Sequence, residues 1–147
     1  MLTVNISSSQ TALRVPRKKI NAMAQFIARS EAVKFEEIDI AIVSSPRMAE
    51  LNMQYLQHAG DTDVLSFDLS APGSPLVAQI IVCAEVAIRE ARARGLGPQR
   101  ELLLYIAHGL LHVIGYDDKD PQQAEKMYAR QQELLEAFLA SYAPEAC

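Results

Sequence analysis

The chain opens on an alternation: Leu2, Val4 and Ile6 are spaced by Thr3, Asn5 and Ser7, the period of a strand with one buried face. Ile38, Ile40 and Ile42 repeat the pattern around Asp39 and Ala41, with Val43 following. Two more strands are predicted over 62–67 and 76–82; the second is apolar except for Gln79, which predicts burial on both faces. Elsewhere the period lengthens to that of a helix. Ile20, Met23, Ala24, Ile27 and Ala28 form one stripe in a helix opened near Val15-Pro16 and running through Arg29. Ser45 is read as the cap of a second helix, with Pro46 at its first position and Met48, Leu51 and Tyr55 on its apolar face. A third covers 83–94 with Val86, Ala87, Ile88 and Ala91 inward, ended by Gly95 and Gly97-Pro98. Residues 99–114 are apolar almost throughout and predict a buried helix. The last helix spans 121–140, capped by Asp120 ahead of Pro121, with Ala124, Met127, Tyr128, Leu134, Leu135 and Phe138 inward; residues after Ser141 are expected to fray. The order β-α-β-α-β-β-α-α-α, with no repeat or linker, predicts an α+β fold. A single domain over 1–147 is expected, its four-stranded mixed sheet carrying about five helices with helix 99–114 central.

Composition narrows the class. Half of the 147 residues are hydrophobic and 22% are charged, an ordinary globular balance. Lys and Arg number 14 against 18 Asp and Glu, a formal charge of -4, which argues against a uniformly basic nucleic-acid surface but leaves room for a local patch. One such patch, Arg14, Arg17, Lys18 and Lys19, stands at the start of the first helix, where cations oppose the helix dipole; it reads as a solvated face or as contact with a polyanion. The two cysteines, Cys83 and Cys147, form no disulfide framework and no metal knuckle, and a reducing, cytoplasmic setting is expected. The first ten residues do not read as a signal peptide, and no stretch is apolar for long enough to span a membrane.

The chemistry concentrates in A-H-G-L-L-H-V-I-G-Y-D-D, residues 107–118. His108 and His112 are four apart and share one helix face. Burying two imidazoles in so apolar a segment is costly unless both find partners. They are either satisfied core histidines or metal ligands. Gly115 offers a place to leave the helix, and Asp117, Asp118 and Asp120 follow closely enough for a carboxylate to return over the histidines. Two His and one Asp around an open position is a catalytic zinc arrangement.

This stretch resembles the signature of the YbeY rRNA-maturation endoribonucleases, H-G-x-L-H-x-x-G-Y-D-H. Leu51-Asn52-x-x-Tyr55 and Thr62-Asp63-Val64-Leu65-Ser66-Phe67 resemble a second block of that family. The resemblance covers nearly the whole chain. It implies a zincin-like, histidine-bearing central helix, one zinc ion per chain, and ligands at His108, His112 and position 118. It also implies cleavage of single-stranded RNA, 16S rRNA 3′-end maturation and ribosome quality control, with ribosomal RNA and small-subunit proteins as partners and no membrane.

The chain departs from that pattern at four positions. Asp118 stands where the family has His; carboxylate oxygen still ligates zinc, although an anionic ligand weakens the Lewis acid and raises the pKa of its water. Asp117 is the rival ligand. Leu56 replaces an arginine that the family is thought to use on RNA phosphate, and Ala78-Gln79 replaces Gly-Asp; this reads as the loss of two opposite charges as a pair. Candidate substrate contacts are His58, Lys119, Arg14, Arg17 and Lys18. Two functions follow: a zinc-dependent endoribonuclease, or a metal-stabilised, catalytically weak or inactive factor that binds RNA or the ribosome. A peptidase is poorly supported, because Gly109 stands where zinc peptidases carry their general-base Glu.

Overall fold

The computed structural model describes residues 1–142, and its elements come in the predicted order. They are β1 (Thr3–Ser8), α1 (Arg17–Ser30), β2 (Phe35–Val43), α2 (Ser45–Leu56), β3 (Val64–Asp68), β4 (Leu76–Cys83), α3 (Ala84–Arg94), α4 (Pro98–Ile114) and α5 (Pro121–Ser141). The fold is α+β. The sheet order is β1-β2-β4-β3, with β1, β2 and β4 parallel and β3 antiparallel on the β4 edge.

The register carries the hydrophobic alternation across the sheet. Ile6, Ile40 and Ile80 are ladder neighbours, as are Val4, Ile38 and Ala78. Ile38, Ile40, Ile42, Ala78, Ile80 and Val82 are all essentially inaccessible. Ile81, on the opposite face of β4, is also buried, in keeping with the apolar run of that strand.

Helix α4 packs on β3 and β4 and is flanked by α1, α3 and α5. Its apolar residues on every side match that position: Leu102 to Ala107, Leu110 and Leu111 are buried. Gly109 permits the close approach to the sheet. A Cβ there would meet Ile80 at 3.1 Å and Val64 at 3.2 Å.

Several local expectations are corrected. Ser44, not Ser45, caps α2: its backbone is extended and its side chain accepts from Arg47 N, leaving Pro46 in the second helical position. Strand β3 starts at Val64 because the Asp63 carboxylate folds back to accept from Val64 N at 2.7 Å. Tyr128 is exposed, and the place expected for an inward side chain on that part of α5 is taken by buried Gln131. Tyr142, past the predicted end of the last helix, packs on Phe138 at 5.2 Å; residues 143–147, the rest of the tail expected to fray, and Cys147 with them, lie outside the described residues.

Candidate metal centre

The last turns of α4 place His108 and His112 on one face, with ring centroids 4.7 Å apart. Gly115 ends the helix at φ +129°, a backbone region open chiefly to glycine, and its N–H reaches back to Leu111 and His112. Tyr116 N also bonds Leu111 O, at 3.0 Å. The chain is therefore folded tightly against the helix it has just left. Asp117 then closes a turn of its own: its Oδ1 accepts from Asp118 N at 2.8 Å and from Lys119 N at 3.2 Å. Asp120 caps α5 through Gln123 N. The carboxylate left to face the histidines is that of Asp118, whose Oδ2 is 3.6 Å from His108 Nε2 and 3.4 Å from His112 Nε2.

These three side chains offer one ligand atom each, all within 4.8 Å of one another. Two ligands held at zinc distances in a tetrahedron are about 3.3 Å apart. The observed spacing and the donor types therefore fit a zinc ion. The far side of His108 is fixed as well, since its Nδ1 lies 2.6 Å from Oε1 of buried Gln131 on α5. An amide oxygen only accepts, so Nδ1 carries a proton, and in the neutral ring the Nε2 lone pair is the one turned toward Asp118. Each imidazole is 29% exposed and Asp118 46%, so the open side faces solvent.

The turn carrying Asp118 is anchored from a distance. The Tyr116 hydroxyl donates to the Glu31 carboxylate at the end of α1, and Arg130 Nε on α5 donates to the same carboxylate at 2.7 Å. Burial, and next the Glu31 charge, hold the Tyr116 phenol above its usual pKa; hydrogen bonding to Glu31 raises that of Arg130.

A cleft of about 480 Å³ opens from the histidines along edge strand β3. Its walls carry Leu56, Phe67 and three aspartates, Asp63, Asp68 and Asp118, and among the described residues no lysine or arginine. Of the substrate contacts expected from sequence, none lines it. His58 and Lys119 are exposed. Arg14 and its neighbours lie beside Gln99 at the opposite end of α4, nine residues before His108, or about 13 Å of helix. There Arg17 donates to Ile6 O at 2.7 Å and Lys19 sits 5.7 Å from the centre of the Tyr142 ring. Two members of the basic cluster thus tie α1 to β1 and to the end of α5.

Leu56 lines the cleft, whereas Ala78 is in the core and Gln79 borders a separate groove beside Tyr55. Gly109 points into Ile80 and Val64, so a glutamate there would meet the sheet before it met the cleft. Gln131, Glu31 and Arg130 escaped the sequence reading. Only Gln131 left a signal, a polar residue at a core position of α5, four after Met127 and three before Leu134.

A family model described as Endoribonuclease YbeY matches residues 4–139. An Endoribonuclease YbeY of Arthrobacter sp. (strain FB24) is 35% identical, the match covering 93% of this chain and 94% of the relative. One of Beutenbergia cavernae is 32% identical over 90% of this chain and 95% of its own length. The solution structure of a Thermotoga maritima protein superposes with a TM-score of 0.65 at 24% identity, covering 93% of this chain and 89% of that one, a likeness of fold.

Proposed function

We propose that this chain, which belongs to the YbeY endoribonuclease family, is a zinc-dependent endoribonuclease that cleaves single-stranded RNA. The observation that carries this reading is the convergence of His108 Nε2, His112 Nε2 and Asp118 Oδ2 at the mouth of an open cleft. In this reading those three residues hold one zinc ion, and Asp118 rather than Asp117 is the third ligand. Zinc bound there supplies Lewis acidity and an activated water. The chain's own part is placement: Gln131 keeps the His108 lone pair directed at the site, and the Tyr116–Glu31–Arg130 contacts hold the turn that delivers Asp118. Family membership supports a role in 16S rRNA 3′-end maturation in the cytoplasm, alongside small-subunit proteins. No helix among the described residues is long and apolar enough to cross a membrane.

One observation favours a second reading, a metal-stabilised RNA-binding or assembly factor with weak catalysis. Among the described residues the cleft has aspartates and Leu56 but no lysine or arginine to hold phosphate or to offset the charge of a phosphoryl transition state. The two readings part in one experiment: incubation of zinc-loaded protein with a single-stranded oligoribonucleotide, with and without chelator. Chelator-sensitive cleavage that vanishes in His112→Ala is the expected result. RNA retained but uncut supports the assembly factor, and RNA neither retained nor cut removes both readings.

A further inference from the structure

The metal-centre cleft and a second groove meet at Phe67 on edge strand β3, which lines both. Val64 points toward Gly109 of α4, so the alternation of β3 turns Leu65 and Phe67 to the opposite face of the sheet. There the ladder sets them beside Ile81 and Gln79 of β4, and β2 extends the two rows with Ala41 and Asp39. Helix α2 forms the wall over this face, with Arg47, Leu51 and Tyr55 spaced four apart along it. The groove between helix and sheet is about 410 Å³, the scale of a pocket for one small group.

Its open surface carries three kinds of group. Tyr55 is 50% exposed, and with Leu56 and Leu69 it makes an uncovered apolar patch around Phe67. Phe67 meets the Tyr55 ring at an angle of 60° with centroids 5.3 Å apart, which holds that ring in place and leaves half of it to solvent. Gln79, half-buried in the floor, places one end of its amide 3.5 Å from Asp39 O; the other end has no partner among the described residues. Arg47 is exposed and forms no ion pair among the described residues, so the groove has a cation that the metal cleft lacks. Toward β1 the same face turns polar, where Asn5 donates to Glu37 and Asp39 at 2.8 Å each. The apolar strip is thus confined to the side under α2. An aromatic surface, an open amide and an unpaired guanidinium match the face, edge and phosphate of a nucleotide. An apolar side chain of a protein partner would use the ring and leave the other two without a role.

Resting on the ribonuclease reading, we infer that this groove holds one nucleotide of the RNA strand outside the cleaved step. The strand leaves the metal centre along the cleft and turns round the β3 edge at Phe67. One base then stacks on Tyr55 with its edge toward the Gln79 amide, and a phosphate beyond it meets Arg47. The cation for the substrate backbone therefore stands on α2, one groove away from the metal.

The test uses full-length, zinc-loaded protein and a single-stranded oligoribonucleotide with one cleavage site, intact or with an abasic residue at each position in turn. In wild type, one abasic position away from the cleaved step should raise KM about tenfold, the loss of one base–aromatic stack. Tyr55→Ala should raise KM about tenfold on the intact strand and lose its sensitivity to that position, whereas Tyr55→Phe should keep both wild-type properties. Arg47→Gln should raise KM severalfold and reduce the salt dependence of binding by about one phosphate contact. In all three variants kcat should stay within about twofold of wild type, with zinc content unchanged. Tyr55 and Arg47 are both exposed, and melting temperatures confirm that the variants are folded. If wild type cleaves and Tyr55→Ala matches it in KM, the base site is refuted, the ribonuclease reading stands and the apolar strip is left to a protein partner. A Tyr55→Ala variant that keeps the abasic sensitivity of wild type refutes it equally. If wild type retains RNA without cutting it, the same comparisons are made on dissociation constants, and the base site stands or falls on them while the ribonuclease reading fails. If RNA is neither cut nor retained, both are overturned.

Discussion

Each imidazole of the pair has two nitrogens, and the far one decides what the near one can do. His108 is governed by Gln131, whose amide oxygen accepts from Nδ1 at 2.6 Å and so selects, for the neutral ring, the tautomer whose Nε2 lone pair faces the ligand cluster. Replacing Gln131 with Leu should leave the fold intact, because position 131 lies in the apolar stripe of α5. It should cost about ten- to a hundredfold in zinc affinity, the usual effect of losing such an outer partner. Gln131→Glu, which still accepts the same proton, should bind at least as tightly as wild type. Competition with a chromophoric chelator measures both, and equal affinity for Leu and Gln at 131 would remove the positioning role. The histidine pair, and the return of some carboxylate over it, were legible in the sequence because their geometry is local: four residues of helix, a glycine exit and a short return. The choice of Asp118 over Asp117 was not, since it depends on which carboxylate the turn consumes. Gln131 was legible only as an oddity, a polar side chain in an apolar stripe; that it meets His108 depends on how α5 lies on α4.

Elements declared themselves through their periods, and the sequence order, the central helix and the exit at Gly115 all stand in the structure. What the pattern left undetermined was settled by contacts between distant segments. Ser44 and Ser45 are equally good caps by type. Ser44 takes the role because Ser45 is drawn into the loop that leads to β3, where its hydroxyl donates to Asp61. The same loop is held by Asn52 Nδ2 on Gly60 O at 3.0 Å and by Arg89 on Asp61 at 3.5 Å. The Ser45 hydrogen bond, ahead of Arg89, holds the Asp61 carboxyl below its ordinary 3.8. A depressed folded-state pKa stabilises the fold above the unfolded value, and that contribution disappears as pH falls through the folded value. Asp61→Asn should therefore lower stability at pH 7 by on the order of 1 kcal/mol, the scale of one partly exposed charged hydrogen bond. The gap to wild type should narrow progressively below about pH 4. Urea denaturation at pH 7 and pH 3 gives the comparison; a gap that is the same at both would mean the Asp61 charge is not what holds the loop. The basic cluster teaches the same lesson about distance. Arg17 and Lys19 looked free for a polyanion in one dimension, yet both are engaged by segments remote in sequence.

Across the whole molecule, the ligand cluster joins two kinds of structure. His108 and His112 belong to the most buried helix, whereas half-exposed Asp118 comes from the short connection between α4 and α5. An ion held by all three fastens that connection to the core, and α5 with it. Because it binds the folded chain, it stabilises by mass action, by about 2.7 kcal/mol at a hundredfold excess over its dissociation constant. For a domain of this size that corresponds to a rise of roughly 5–10 °C in melting temperature. Asp118→Ala should abolish most of the zinc-dependent rise. It should leave the metal-free melting temperature within a degree or two of wild type, since among the described residues the carboxylate has no ion-pair or hydrogen-bond partner outside the histidine pair. Calorimetry on both proteins, with zinc and with excess chelator, separates the alternatives. A zinc-dependent rise in wild type alone assigns the ion to Asp118. An equal rise in both would place binding on the histidines without it, and the short return after Gly115 would then serve the cleft's shape rather than its metal. With no rise in either, the histidine pair would stand as a hydrogen-bonded polar end to α4, and the hydrolytic reading would lose the group that makes it chemically feasible.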